Sequence, residues 1–134
     1  MEIELATDQH YHYLTENDVH ISRTMLQTKI KRNEIYVVRE KQGIIGFLRF
    51  GYFWDNIPFM NMLYLDEAYR RKGVGKQLVL FWEDQMREQG FKEVMTSSLS
   101  DESAQYFYRK LDYKDSGCLF LKNEPLEIIF LKQL

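Results

Sequence analysis

Cysteine is almost missing from this chain: Cys118 is the only one in 134 residues, so no disulfide can form within it, and a reducing cytoplasm is the expected setting. Proline is scarce as well. Pro58 and Pro125 stand far apart, and no Pro/Gly/Ser-rich stretch, repeat or low-complexity tract offers a linker, so one domain over residues 1–134 is expected. Neither sign of charge dominates. Eighteen basic against twenty acidic residues leave a net charge of -2, which excludes a broad field drawing in nucleic acid or an anionic membrane, so any anion site must be local. No apolar run approaches the roughly 18–20 residues that span a bilayer, and the first residues, Met1-Glu2-Ile3-Glu4, carry early acids in place of a basic leader. Of the three histidines, His10 and His12 alternate but have no third ligand nearby, so no metal site is expected.

What is present is the composition of a folded protein, 45% hydrophobic and 28% charged residues, in a chain long enough to bury a core. Ile3 to Ala6 alternates apolar with acidic and predicts a short strand; Val19, Ile21, Met25, Leu26 and Ile30 then predict a helix ending near Asn33. Ile35–Val38 and Ile44–Phe53 flank the turn Lys41-Gln42-Gly43 and predict a hairpin. Asp55–Pro58 breaks the pattern and Phe59–Leu65 resumes it as a strand. Val74, Leu78, Phe81, Trp82 and Met86 mark one face of a long helix closed by Gly90. A strand at Val94–Ser98, a helix over Asp101–Leu111 and strands near Cys118–Leu121 and Leu126–Leu131 complete the order, with Cys118 expected to be buried. Hairpins first and alternating helices later imply a mixed α/β sheet.

The chemistry concentrates where the Phe59–Leu65 strand runs into the long helix. The first N–H groups of a helix have no partner and its dipole favours negative charge, so this junction is an anion site by construction. Without a Cβ at Gly73 and Gly75 the backbone can approach a phosphate closely, and Arg70, Arg71, Lys72 and Lys76 put four cations within seven residues. A solvated basic turn is the plain alternative. The turn is not a dinucleotide fingerprint, which needs three spaced glycines, nor a P-loop, because Gln77 rather than Ser or Thr follows Lys76.

Arg70, Gly73 and Gly75 resemble the pyrophosphate motif of the Gcn5-related N-acetyltransferase family: Gln or Arg, Gly three residues on, and Gly or Ala two further. The family's second hallmark, a helix start leading to Ala, then Tyr, then a Gly-aromatic pair, is similar to Asp101 through Tyr113, with spacing that agrees from Ala104. Three positions depart from it. Glu67 stands for a common proline, Asp112 for the glycine that ends the helix, and Asp101 for an Asn; an ionised Asp101 cannot donate the hydrogen bond that the Asn gives to pantetheine, though it can cap the helix. A non-glycine residue such as Asp112 in a left-handed conformation costs on the order of 1 kcal/mol.

This resemblance implies a mixed, mostly antiparallel central sheet of six to seven strands, with helices on both faces and splayed central strands. It also implies transfer of an acetyl group from acetyl-CoA to an amine by direct attack. Pantetheine would lie between Met62–Leu65 and Val94–Ser98, with an N–H near Leu63 or Tyr64 polarising the thioester carbonyl. The implied cofactor set is Leu63, Tyr64, Leu65, Arg70, Arg71, Lys72, Gly73, Val74, Gly75, Lys76, Asp101 and Tyr108, and the implied general acid is Tyr108. The amine must be neutral to attack, which costs an alkylamine roughly 4 to 5 kcal/mol at pH 7, so a base is needed. Asp55 is the first choice and Glu127 the second. Tyr52, Phe53, Trp54, Asp55, Asn56 and Phe59 together suit a cationic amine, here expected to be a small molecule. A domain of the same fold that binds acyl-CoA for regulation without turnover is the alternative function, and a homodimer is compatible with the sequence.

Overall fold

The computed structural model describes residues 1–134. In chain order the elements are β1 (Glu2–Leu5), α1 (Tyr11–Asn17), α2 (Arg23–Lys31), β2 (Ile35–Glu40), β3 (Gly43–Phe53), β4 (Ile57–Leu65), α3 (Val74–Glu88), β5 (Glu93–Leu99), α4 (Ala104–Lys110), β6 (Lys114–Leu119) and β7 (Glu127–Gln133). The strands form one seven-stranded sheet in the order β1-β2-β3-β4-β5-β7-β6. It is mixed and mostly antiparallel, as expected: β4 runs parallel to β5 through Phe59↔Met95 and Met60↔Thr96, while β1–β2, β2–β3, β5–β7 and β6–β7 are antiparallel. Contacts divide the chain into two compact units, Met1–Phe50 with Met62–Trp82, and Gly51–Asn61 with Glu83–Leu134.

In the first unit Ile35, Tyr36, Val37 and Val38 of β2 are all buried, and a core of Leu14, Leu26, Ile30, Ile35, Val37 and Phe47 gathers α1, α2, β2 and β3. The predicted helix ending near Asn33 is in fact two. Asp18 ends α1, where its carboxylate accepts from Arg49 Nε at 2.7 Å and from the His20 N–H at 3.2 Å; Ser22 then caps α2 by accepting from the Met25 N–H at 3.1 Å. Local side-chain bonds to backbone thus win over apolar spacing. Val19, 78% exposed, and Ile21 fall in the break, and Met25 is 45% exposed. The β2–β3 hairpin forms where expected. Gly46 fixes how closely β3 meets β4: a Cβ there would stand 2.5 Å from Leu65 Cδ2 and 2.6 Å from the Tyr64 carbonyl oxygen.

In the second unit the β3–β4 turn places Trp54 and Asp55 at φ 56° and 55°, the paired left-handed geometry of a tight hairpin. The helix predicted from Asp101 begins at Ala104; Asp101 lies exposed in the preceding turn, and Ser103 at the N-cap makes no side-chain cap bond, so the expected Asp101 cap does not form. Asp112 does adopt the left-handed conformation at φ 70°, and the Tyr113 N–H closes the helix onto the Tyr108 carbonyl at 3.1 Å. Buried Glu83 accepts from Tyr113 Oη at 2.8 Å and from Lys132 Nζ at 2.7 Å. The strand expected near Cys118–Leu121 runs instead from Lys114 to Leu119 with all six residues exposed; Cys118 is therefore exposed, and Phe120 is 87% exposed beyond the strand. An apolar run on the last strand of a sheet has the same sequence pattern as a buried one, but here it stays exposed.

Candidate active site

In the first unit, β4 delivers Leu63, Tyr64 and Leu65, all half-buried, to the turn before α3. The Tyr64 ring stacks on Phe47 with centroids 5.6 Å apart, and Arg70 folds back over the same ring at 5.6 Å while its Nε donates to the Leu65 carbonyl at 2.8 Å. Arg70 therefore pins the turn to the strand, a role that sequence spacing does not reveal. Arg71 takes φ 62° and Gly73 φ 83°, and this bend carries the chain into α3. The first bond of the helix is Gln77 N–H to the Gly73 carbonyl at 3.1 Å, so the N–H groups of Val74, Gly75 and Lys76 precede the helical ladder. A Cβ on Gly73 would meet nothing within 4 Å, so the turn is open on that side, and Arg71, Lys72 and Lys76 are exposed around it. Open space, oriented N–H groups and exposed cations suit a diphosphate.

Tyr108 belongs to the second unit. It is 7% exposed, enclosed by the rings of Phe107, Tyr113 and Phe130 at 5.3, 5.7 and 6.0 Å. Burial pushes its phenol up to about 12, a hydrogen bond between the Tyr108 and Thr96 side chains works the other way, and the Glu102 charge adds a little to the rise. Thr96 in turn donates to the Met60 carbonyl at 2.9 Å. Tyr108 thus keeps its proton throughout the physiological range.

Also within the second unit, the opposite face of β5 and β7 is bare. On β7, Phe130 packs on Tyr108 and Lys132 reaches Glu83, whereas Glu127, Ile129 and Leu131 line a groove of about 970 Å³. Met95 and Ser97 of β5 form its floor, and Tyr52, Phe53, Trp54 and Phe59 rise as an aromatic wall. The lining contains two carboxylates, Glu93 and Glu127, and no lysine or arginine. Glu93 accepts from Gln133 Nε2 at 3.1 Å; Glu127 is half-buried with no hydrogen-bond or ion-pair partner. Of the aromatic and acidic residues singled out around the turn, Asp55 and Asn56 are exposed and do not line the groove. The alternation Glu127-Ile129-Leu131 was the available sequence signal for this face, but it does not say which face a helix will cover.

Residues 31–115 match the model of the acetyltransferase (GNAT) domain. The chain belongs to the GNAT acetyltransferase family. The GNAT match spans β2 through the start of β6, so it includes the turn at 70–76 and Tyr108 and stops before Glu127. No curated protein matches the sequence. Solved structures share the fold: Ard1 from Thermoplasma volcanium is 15% identical with a TM-score of 0.87, covering 99% of this chain and 97% of that one. The PaiA N-acetyltransferase from Thermoplasma acidophilum, in complex with coenzyme A, is 20% identical with a TM-score of 0.83 over 99% and 98% of the two chains. Arabidopsis thaliana Naa50, in complex with the bisubstrate analogue CoA-Ac-MVNAL, is 15% identical with a TM-score of 0.81 over 99% and 98%. These likenesses establish the GNAT fold over nearly the whole chain. No helix of the structure is long and apolar enough to cross a membrane.

Proposed function

We propose that this GNAT chain is an N-acetyltransferase that takes the acetyl group of acetyl-CoA and passes it to a small-molecule primary amine by direct attack. The observation that carries the reading is the entrance of α3, where Gly73 at φ 83° leaves open space beside N–H groups that precede the helical ladder. Those groups, with Arg71, Lys72 and Lys76, suit the diphosphate, and Arg70 holds the turn in place. Acetyl-CoA supplies the activated thioester. A backbone N–H at Leu63 or Tyr64 polarises the thioester carbonyl, in the manner of an oxyanion donor. Tyr108 hydrogen-bonds the departing sulfur and gives it a proton. A phenol kept neutral by burial supports turnover over a purely regulatory binder, which has no use for a buried proton donor.

Thermal denaturation with and without acetyl-CoA, followed by thiol release in the presence of mixed primary amines, tests the proposal. Stabilisation together with amine-dependent thiol release is expected. Stabilisation without thiol release overturns catalysis in favour of the regulatory reading, and no stabilisation overturns both.

A further inference from the structure

The acetyl-transfer reading needs an amine site and a base. We infer that the groove on the bare face of β5 and β7 seats the acceptor, a primary amine carried on an apolar body, and that Glu127 receives its ammonium and takes its proton; this rests on the acetyl-transfer reading. Three independent features point to that ligand. At about 970 Å³ the groove has room for a small organic molecule. Its wall and floor are mainly aromatic and aliphatic, from Tyr52, Phe53, Trp54 and Phe59 to Met95 and Ile129, with Asn61, Ser97 and Ser116 as neutral polar groups, which suits a ligand with a largely apolar body. Its charge is of one sign, and Glu127 is a half-buried carboxylate that nothing in the chain satisfies. A cation answers both the carboxylate and the aromatic faces. Asp55, exposed on the outside of the hairpin turn, has no such enclosure.

Position on the sheet agrees with the chemistry. Glu127 pairs with Leu99 of β5 and faces the groove, whereas Phe130 on the same strand faces Tyr108. Acid and base therefore work from opposite sheet faces. The ammonium gives one proton to the Glu127 carboxylate, which passes it to water. The freed nitrogen lone pair forms the C–N bond to the acetyl carbon as the C–S bond breaks. The sulfur takes a proton from Tyr108, which recovers one from the newly acylated nitrogen. The balance is ammonium plus thioester to amide, thiol and one released proton.

The test uses 2-phenylethylamine as probe, without any acyl donor. Trp54 is 79% exposed at the groove while Trp82 is fully buried, so a change in tryptophan fluorescence reports on the groove. We expect saturable binding of 2-phenylethylamine, at least ten-fold weaker binding of 3-phenylpropionate and of putrescine, and at least ten-fold weaker 2-phenylethylamine binding for Glu127→Gln. A tetrapeptide beginning with phenylalanine offers the same ammonium and apolar body; whichever of the two binds tighter names the source. In thiol release, Glu127→Gln should lower kcat/KM at least a hundred-fold and Asp55→Asn should cost less. Equal binding of 3-phenylpropionate, an unchanged Glu127→Gln enzyme, or a greater loss in Asp55→Asn each overturns the inference. Stabilisation by acetyl-CoA, measured separately, tells the two failures apart. A chain that binds acetyl-CoA and acetylates amines regardless of Glu127 refutes only the groove assignment. One that binds 2-phenylethylamine through Glu127 but is never stabilised by acetyl-CoA refutes acetyl transfer and the role of Glu127 as base.

Discussion

Removing one oxygen atom, in Tyr108→Phe, measures what the buried phenol contributes. Its pKa of about 12 makes it a weaker acid than an ordinary alkyl thiol, near 8.5, by roughly 3000-fold, or about 4.8 kcal/mol. Complete proton transfer to a water-like thiolate would therefore run uphill. Desolvation raises the thiol by the same physics that raises the phenol, which narrows the gap without a second catalyst. In the proposed reaction, then, Tyr108 would act early in the bond breaking as a hydrogen-bond donor to growing negative charge on sulfur. A hydrogen bond to a charged group is worth about 1.5–3 kcal/mol, so losing it should lower kcat about 10- to 150-fold. Acetyl-CoA affinity should change less than two-fold. The fold should tolerate the change, since the ring keeps its packing against Phe107, Tyr113 and Phe130 and only the bond with Thr96 is lost, about 1 kcal/mol. Single-turnover thiol release with matched thermal denaturation separates these quantities. A Tyr108→Phe enzyme within three-fold of the parent kcat would refute the reasoning.

Three further changes test other parts of the molecule. Gly75→Glu puts a helix-favouring acid into the first turn of α3, so the melting temperature should hold or rise while acetyl-CoA binding, followed by calorimetry, falls below detection; retained binding would remove the diphosphate from this turn. Glu83→Gln leaves Lys132, 14% exposed at its side chain, without its counter-charge, and should cost about 2–3 kcal/mol in chemical denaturation; a loss below 1 kcal/mol would show that the pair is not structurally important. His10 accepts the Thr7 N–H at 3.0 Å through Nδ1, and burial holds its pKa below 6.5 despite the Glu4 charge. Below pH 6.5 the unfolded chain therefore takes up a proton first, so stability should fall as pH drops below 6.5, by at most about 1.4 kcal/mol per pH unit, and His10→Gln should flatten that slope.

Much of the fold was legible because its signals are local. The apolar face of α3, the β2–β3 turn and the spacing from Ala104 to Tyr113 are all set by neighbours within about a dozen residues, and all three appear where the sequence puts them. What failed depended on distant partners. Asp18, where the first helix ends, has its carboxylate held by Arg49, thirty-one residues away, as well as by its local bond to the His20 N–H. Cys118 and Leu119 look like core residues in sequence, yet β6 is the last strand of the sheet and all six of its residues are exposed. Arg70 counts as a loose cation until Tyr64 and the Leu65 carbonyl are seen to hold it. Glu127 was indistinguishable from any solvated acid until β7 placed it in the groove.

Alternation along β7 ties the two proposed chemical roles together. Side chains on a strand point to opposite faces in turn, so the residues that pack on Tyr108 and those that line the groove must interleave, and no helix covers the groove side within the second unit's lining. The side carrying Phe130 is dry, which keeps Tyr108 neutral. The side carrying Glu127 is open, as the proposed entry of an acceptor and exit of a proton to water require. The two proposed sites are compatible with a net charge of only -2, because the anion at the turn and the cation at the strand would each be met by charges within a few residues rather than by the field of the whole molecule. Raising the ionic strength should therefore weaken acetyl-CoA binding, where Arg71, Lys72 and Lys76 are exposed, more than it weakens 2-phenylethylamine binding at half-buried Glu127. Equal salt dependence of the two would mean that one diffuse field, and not two built sites, governs recognition.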